Sequence, residues 1–165
     1  MTSLIHPSST VGNSVQLGEN VIIGPFCYLD GNISIGDGTE LKSHISISGN
    51  TTIGENNIFY PFSNIGCDPQ DLKFSGEDSF LEIGNSNIFR ENVTISKGTK
   101  DGGMLTSIKN NNLFMTGVHI AHGALVMTGS LGNLLLSESR CRSQQNRQQC
   151  QKERTHDRGI NAVLS

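Results

Sequence analysis

Two short runs hold the side chains that could do chemistry. His119-Ile-Ala-His122 sets two imidazoles three positions apart. An imidazole titrates near neutrality, so it can take the proton of an alcohol while that alcohol attacks an acyl group. The pair could equally ligate zinc, but a catalytic zinc needs a third protein ligand, and none stands in the motif. The second run is Gln70-Asp71-Leu-Lys73. Asp71 could accept hydrogen bonds from sugar-like hydroxyls, and Lys73 could hold an anionic or carbonyl oxygen. A solvated loop pair worth little energetically is the plainer alternative for these two. His6 and His156 carry no functional expectation, and His44 is expected in a corner or a subunit contact.

Such groups must be held by a scaffold, and the scaffold shows in a period of six. Every sixth residue from Ile5 through Val11, Leu17, Ile23, Leu29, Ile35, Leu41, Ile47, Ile53 and Phe59 to Ile65 is large and apolar. Glycine often follows this ladder residue, as at Gly12, Gly24, Gly36 and Gly54. Four positions after it stands a smaller or β-branched residue, among them Val21, Cys27, Thr39, Thr51 and Ser63. An α-helix cannot keep a six-residue period on one face. Short flat segments joined by tight corners can, and three hexads then make one triangular coil. Stacked coils bury a continuous apolar column. The expected fold is therefore all-β, a left-handed parallel β-helix (a hexapeptide-repeat solenoid shaped as a triangular prism) with a non-repeat C-terminal tail.

Composition agrees. Aromatic residues make up 5% with no Trp, and there are 19 glycines, as narrow cores and tight corners require. A net charge of −3 offers no basic stripe for nucleic acid. No apolar run suits a membrane span or a signal peptide. Cys27, Cys67, Cys141 and Cys150 follow no metal-finger spacing, and Cys27 falls at an inward position. A reducing cytoplasm is the simplest location.

The ladder breaks twice. Asp68 to Asp78 fits the repeat poorly, and a second break runs from Gly98 to Ser107, after which Ile108, Phe114, Ile120 and Val126 resume it. Residues 1–128 are read as the β-helix, with loop insertions near 68–80 and 98–107. Insertions in a solenoid line its binding face. Residues 129–165 are read as an irregular tail, polar and free of hexads from Glu138 to Arg158. One permitted codon choice for Gly123 to Thr128 reads Cys-Ile-Gly-Asp-Asp in another frame, which restarts a hexad. A frameshift close to His122 is the expectation, making residues from about 123 onward out-of-frame sequence.

From about Ile5 to His122 the chain resembles the acyl-[acyl-carrier-protein]–UDP-N-acetylglucosamine O-acyltransferases of lipid A biosynthesis. The resemblance rests on Ile23-Gly-Pro-Phe-Cys27, Leu41-Lys-Ser-His44, Tyr60-Pro-Phe62 with Ile65-Gly66, Gln70-Asp-Leu-Lys73, His119-Ile-Ala-His122 and both insertions. It implies transfer of an (R)-3-hydroxyacyl chain from acyl-carrier protein to the 3-hydroxyl of UDP-N-acetylglucosamine, the first step of lipid A synthesis. It also implies His122 as general base, with Gln70, Asp71, Lys73 and His119 on the substrates. No cofactor or metal is implied, and the family works in the cytoplasm as a homotrimer with its site between subunits.

Departures temper this. Gly123 stands where the family commonly has Asp, and Ser96 where many members have His. The later coils, which supply the oxyanion-stabilising amide and the acyl-length ruler, match nothing after His122. Little or no turnover is expected of the chain as written. A non-catalytic remnant and a zinc-dependent hexapeptide-repeat hydratase are the alternatives.

Overall fold

In the computed structural model, which describes residues 3–128, the chain winds as six stacked coils of three short strands. The first two coils are β1 (Leu4–Ile5), β2 (Thr10–Val11), β3 (Gln16–Leu17), then β4 (Ile22–Ile23), β5 (Tyr28–Asp30), β6 (Ile33–Ile35). The middle two are β7 (Glu40–Leu41), β8 (Ser46–Ser48), β9 (Asn50–Ile53), then β10 (Ile58–Phe59), β11 (Asn64–Cys67), β12 (Phe80–Ile83). The last two are β13 (Ile88–Phe89), β14 (Thr94–Ser96), β15 (Leu105–Ile108), then β16 (Leu113–Phe114), β17 (His119–Ile120), β18 (Leu125–Val126).

Each strand pairs in parallel with the strand three later, so three faces form: β1-β4-β7-β10-β13-β16, β2-β5-β8-β11-β14-β17 and β3-β6-β9-β12-β15-β18. There is no helix among the described residues, hence none long and apolar enough to cross a membrane. The architecture is the all-β parallel β-helix that the hexads imply. The tail reading and most of the out-of-frame expectation fall on residues 129–165, outside the described residues.

The ladder residues point inward from every face. Ile23, Leu29, Ile35, Leu41, Ile47, Ile53 and Ile65 are all at most 2% exposed. Phe59, Phe89 and Phe114 stack ring on ring at 4.5 and 4.9 Å along the first face, which accounts for aromatics in so narrow a core. Ile5 remains 42% exposed, because the end coil has a neighbour on one side only. Cys27 is buried as a core residue, and burial pushes its thiol up from its ordinary value.

The second inward column differs from one corner to the next. Between the third and first faces it holds Thr39, Asn57, Asn87 and Asn112, buried polar residues joined in a ladder. Asn87 Nδ2 and Asn112 Nδ2 each donate at 3.1 Å to the Oδ1 of the asparagine one coil before. The same Oδ1 atoms accept the Asn87 and Asn112 backbone N–H groups at 2.9 Å. Between the first and second faces the inward residues are Cys27, Ile45 and Ser63, while Phe26, His44 and Phe62 stand on the outer side of the corner at left-handed φ 60°, 52° and 65°. Their rings follow one another at 5.0 Å, so His44 is a corner residue held between two phenylalanines.

The corner between the second and third faces is the one that opens. Coils elsewhere pair residues 18 apart, but Asn57 reaches Asn87 across 30 residues and Asn87 reaches Asn112 across 25. The extra residues lie at 68–79, between β11 and β12, and at 97–104, between β14 and β15. Both insertions therefore leave the prism at the same corner, in successive coils. His122 sits at that corner in the next coil, between β17 and β18. Within that corner Ala124 is buried and β18 pairs Leu125 with Ser107 and Val126 with Ile108.

Candidate active site

The roots of both insertions are tied together by Lys97. Its side chain is 14% exposed, with Nζ 2.9 Å from Asp68 Oδ1 and 5.4 Å above the Phe74 ring. A largely buried lysine gains more from a carboxylate and an aromatic face than it would in open water. The Lys97 N–H also donates to the Cys67 carbonyl at 3.1 Å, and Phe80 N–H to the Met104 carbonyl at 2.8 Å. The two loops thus start from one hydrogen-bonded base.

Between them lies a cavity of about 240 Å³. Asp71, Lys73 and Phe74 wall it from the first loop, and Thr99, Lys100 and Asp101 from the second. Lys73 is held twice. Its backbone N–H donates to Asp71 Oδ1 at 3.0 Å, and its Nζ reaches Asp101 Oδ2 at 3.4 Å. That ion pair is 80% and 71% exposed, so both charges stay free to exchange each other for a ligand. Lys73 and Lys100 against Asp71, Glu77 and Asp101 give the cavity both signs of charge, suited to a polar ligand with anionic and hydroxyl groups.

His122 meets this cavity through Thr99. The Thr99 hydroxyl is 3.1 Å from His122 Nδ1, receives the Gly102 N–H at 3.2 Å, and belongs to a residue 3% exposed. His119 lies three residues earlier on β17, exposed, with Nδ1 2.7 Å from the Thr94 hydroxyl. It does not line the cavity, and neither does the exposed Gln70. Of the five residues read from sequence, Asp71 and Lys73 share one cavity, His122 adjoins its wall, and Gln70 and His119 stand apart. Among the described residues, no three His, Cys, Asp or Glu side chains gather as a metal site would need.

Gly123 explains how closely His122 is packed. It has φ 68°, its N–H donates to Thr106 Oγ1 at 3.0 Å, and an added Cβ would stand 3.1 Å from Gly102 Cα. The two glycines let the second loop lie directly on the corner that carries the ring. Ser96 is buried, 3.7 Å from Cys67 Sγ. Lys97 and Thr99 were both missed by sequence reasoning, although the second break in the hexads marked the segment that holds Thr99 and begins one residue after Lys97.

Three stacked parallel faces of hexads, with two loops extruded beside a corner histidine, define a hexapeptide-repeat β-helix protein. Comparison with known proteins narrows this. No protein-family model matches the chain. Over 120 residues, 73% of its length, the chain is 50% identical to the acyl-[acyl-carrier-protein]–UDP-N-acetylglucosamine O-acyltransferase of Rickettsia canadensis (strain McKiel), covering 46% of that protein. Identity to the protein of the same name from Rickettsia bellii (strain OSU 85-389) is also 50%, covering 43% of it. Among solved structures, the UDP-N-acetylglucosamine O-acyltransferase of Moraxella catarrhalis RH4 matches 72% of the chain with TM-score 0.70 and 47% identity, over 46% of its own length. The UDP-N-acetylglucosamine acyltransferase of Bacteroides fragilis 9343 matches with TM-score 0.70 and 45% identity, over 46% of its length. Over the residues it shares with them, the chain belongs to the acyl-[acyl-carrier-protein]–UDP-N-acetylglucosamine O-acyltransferase family. It spans slightly under half the length of these relatives.

Proposed function

We propose that this chain carries the base-bearing half of an O-acyltransferase that moves an (R)-3-hydroxyacyl group from acyl-carrier protein to the 3-hydroxyl of UDP-N-acetylglucosamine. His122 takes the hydroxyl proton as the oxygen attacks the thioester carbonyl; the C–O bond forms, the C–S bond breaks, and the proton leaves with the thiol. Asp71 and Lys73 hold polar groups of the substrates in the cavity, and Gln70 and His119 contact them from its margins. The reaction needs no cofactor. It takes place in the cytoplasm, in a homotrimer that sets this corner against a neighbouring subunit, and opens lipid A synthesis.

One observation supports the reading above the rest. Both insertions and His122 emerge at one corner of three successive coils, and Thr99 of the second insertion bonds the histidine. A solenoid needs no such convergence for its own stability.

The test is transfer of a labelled 3-hydroxyacyl group by the purified chain, with each substrate omitted in turn and with His122→Ala. Product that needs both substrates and His122, at a rate far below that of a full-length relative, is expected. No product from a folded sample would leave the chain a non-catalytic remnant. Sedimentation of the same sample tests the trimer. DNA sequence from the Leu113 codon onward tests whether another frame continues the hexads.

A further inference from the structure

Which nitrogen of His122 holds the proton at rest decides whether the ring is ready to act, and this inference rests on the reading of His122 as base. Thr99 is almost wholly buried, so its hydroxyl has little water to turn to. The oxygen already receives the Gly102 N–H at 3.2 Å, and its other contact is His122 Nδ1 at 3.1 Å. A hydroxyl has one proton to give and two lone pairs to accept with. Were Nδ1 protonated, the oxygen would face two donors, and its own proton would be buried with no acceptor among the described residues. A buried donor without a partner is the expensive arrangement.

We propose that Thr99 Oγ1–H donates to Nδ1 and holds neutral His122 as the Nε2–H tautomer, which makes Thr99 a positioning residue for the base. The ring at rest then offers a donor at Nε2, an atom with no hydrogen bond among the described residues. To accept a proton at Nε2, the ring must first carry its proton on Nδ1, and the Thr99 hydroxyl must rotate to receive it. Tautomer alone can decide whether a histidine base works.

The same threonine shuts the second loop, because its carbonyl accepts the N–H groups of Gly102 at 3.0 Å and Met104 at 2.8 Å. Thr99 is also among the residues that line the cavity. A ligand that presses on Thr99 therefore acts on the tautomer of His122. His119 supplies the internal control: its Thr94 contact is short, but the ring is exposed and water can serve either nitrogen.

Nitrogen-15 NMR of the full chain, at a pH where the rings are neutral, tests this without any turnover. The expected wild-type signature for His122 is an unprotonated, pyridine-like Nδ1 and a protonated Nε2, with no averaging between them. Thr99→Ser keeps that signature. Thr99→Val releases it, so the two His122 nitrogen shifts move toward each other while those of His119 stay in place. A proton found on Nδ1 in the wild type, or His122 shifts unmoved by Thr99→Val, would overturn the proposal. If Thr99→Val does not fold, the wild-type and Thr99→Ser spectra still decide it. Absence of acyl transfer would count against the enzyme reading and leave this result standing.

Discussion

Two corners of the same prism obey opposite rules. Between the third and first faces the chain spends its corner on the buried amides Asn57, Asn87 and Asn112, bonded in series from coil to coil. Between the second and third faces it opens into loops whose charges, Lys73 and Asp101, are 80% and 71% exposed. The first corner joins successive coils by side-chain amide bonds as well as backbone ones and so fixes their stacking. The second pairs its outer charges, Lys73 with Asp101, only across a solvent-exposed contact, which costs little to break and leaves them free for a ligand. One backbone design thus yields a seam and a site, and the difference lies in the residues at the corner.

Breaking the seam should have the largest effect. Asn87→Leu deletes the acceptor for the Asn112 N–H and side-chain amide, and the donor to Asn57 Oδ1. Buried groups left without partners cost roughly 1–3 kcal/mol each, so a loss of about 3 kcal/mol is expected in denaturant unfolding. An unchanged midpoint would mean that the ladder is not what fixes the stacking.

On the site side, glycine placement should matter less, but measurably. Gly123→Ala forces a side chain to φ 68° and brings a Cβ to 3.1 Å from Gly102 Cα. Gly103→Ala meets φ 77° with nothing within 4 Å, so it reports the backbone cost alone. That cost is about 1–2 kcal/mol. Gly123→Ala should lie above Gly103→Ala in the same unfolding experiment, because the second loop must also shift. Equal losses would show that the loop yields freely at the His122 corner.

Lys73→Gln separates site from scaffold most clearly. The exposed Lys73–Asp101 pair is worth about 0–1 kcal/mol, so thermal stability should barely move. If the proposed reaction holds, acyl transfer should nevertheless fall well below that of the unmodified chain. A variant that loses stability and activity in proportion would make Lys73 a loop strut.

The seam and the site were unequally legible in the sequence. A six-residue period is specific to short strands and corners, so the inward ladder from Ile23 to Ile65 could be read directly. Asn57, Asn87 and Asn112 escaped because the second inward position was read as small or β-branched, and an amide enters it only by bonding its counterpart in the next coil. His122, Asp71 and Lys73 were recognisable from the motifs that surround them. Thr99 was not: the 25-residue step that joins Thr94 to His119 places Lys97, not Thr99, below His122. Its contact arises only when the second loop folds back over Gly123, a close approach that linear spacing does not encode. Gln70 and His119 stand near the site in sequence but outside the cavity wall in space.

The third corner, between the first and second faces, gives the smallest expected effect and a pH test with a definite sign. Arg90 donates to both carboxylate oxygens of Glu91 at 3.1 and 3.0 Å, and Thr116 of the next coil adds a bond at 3.1 Å. These bonds, the Arg90 guanidinium foremost, lower the Glu91 carboxyl from its ordinary 4.5 to about 2. A carboxylate depressed in the folded state adds stability that is complete above its unfolded value and is lost as pH falls through the folded one. The window is therefore pH 4.5 down to about 2, and stability must drop on acidification. Because the pair is solvent-exposed, salt should shrink the effect. Arg90→Gln should match the wild type in shape of the pH–stability curve above that window and lose its slope inside it. An unchanged slope would show that this surface pair, like Lys73–Asp101, leaves the prism indifferent, and that the asparagine seam alone distinguishes a structural corner from an open one.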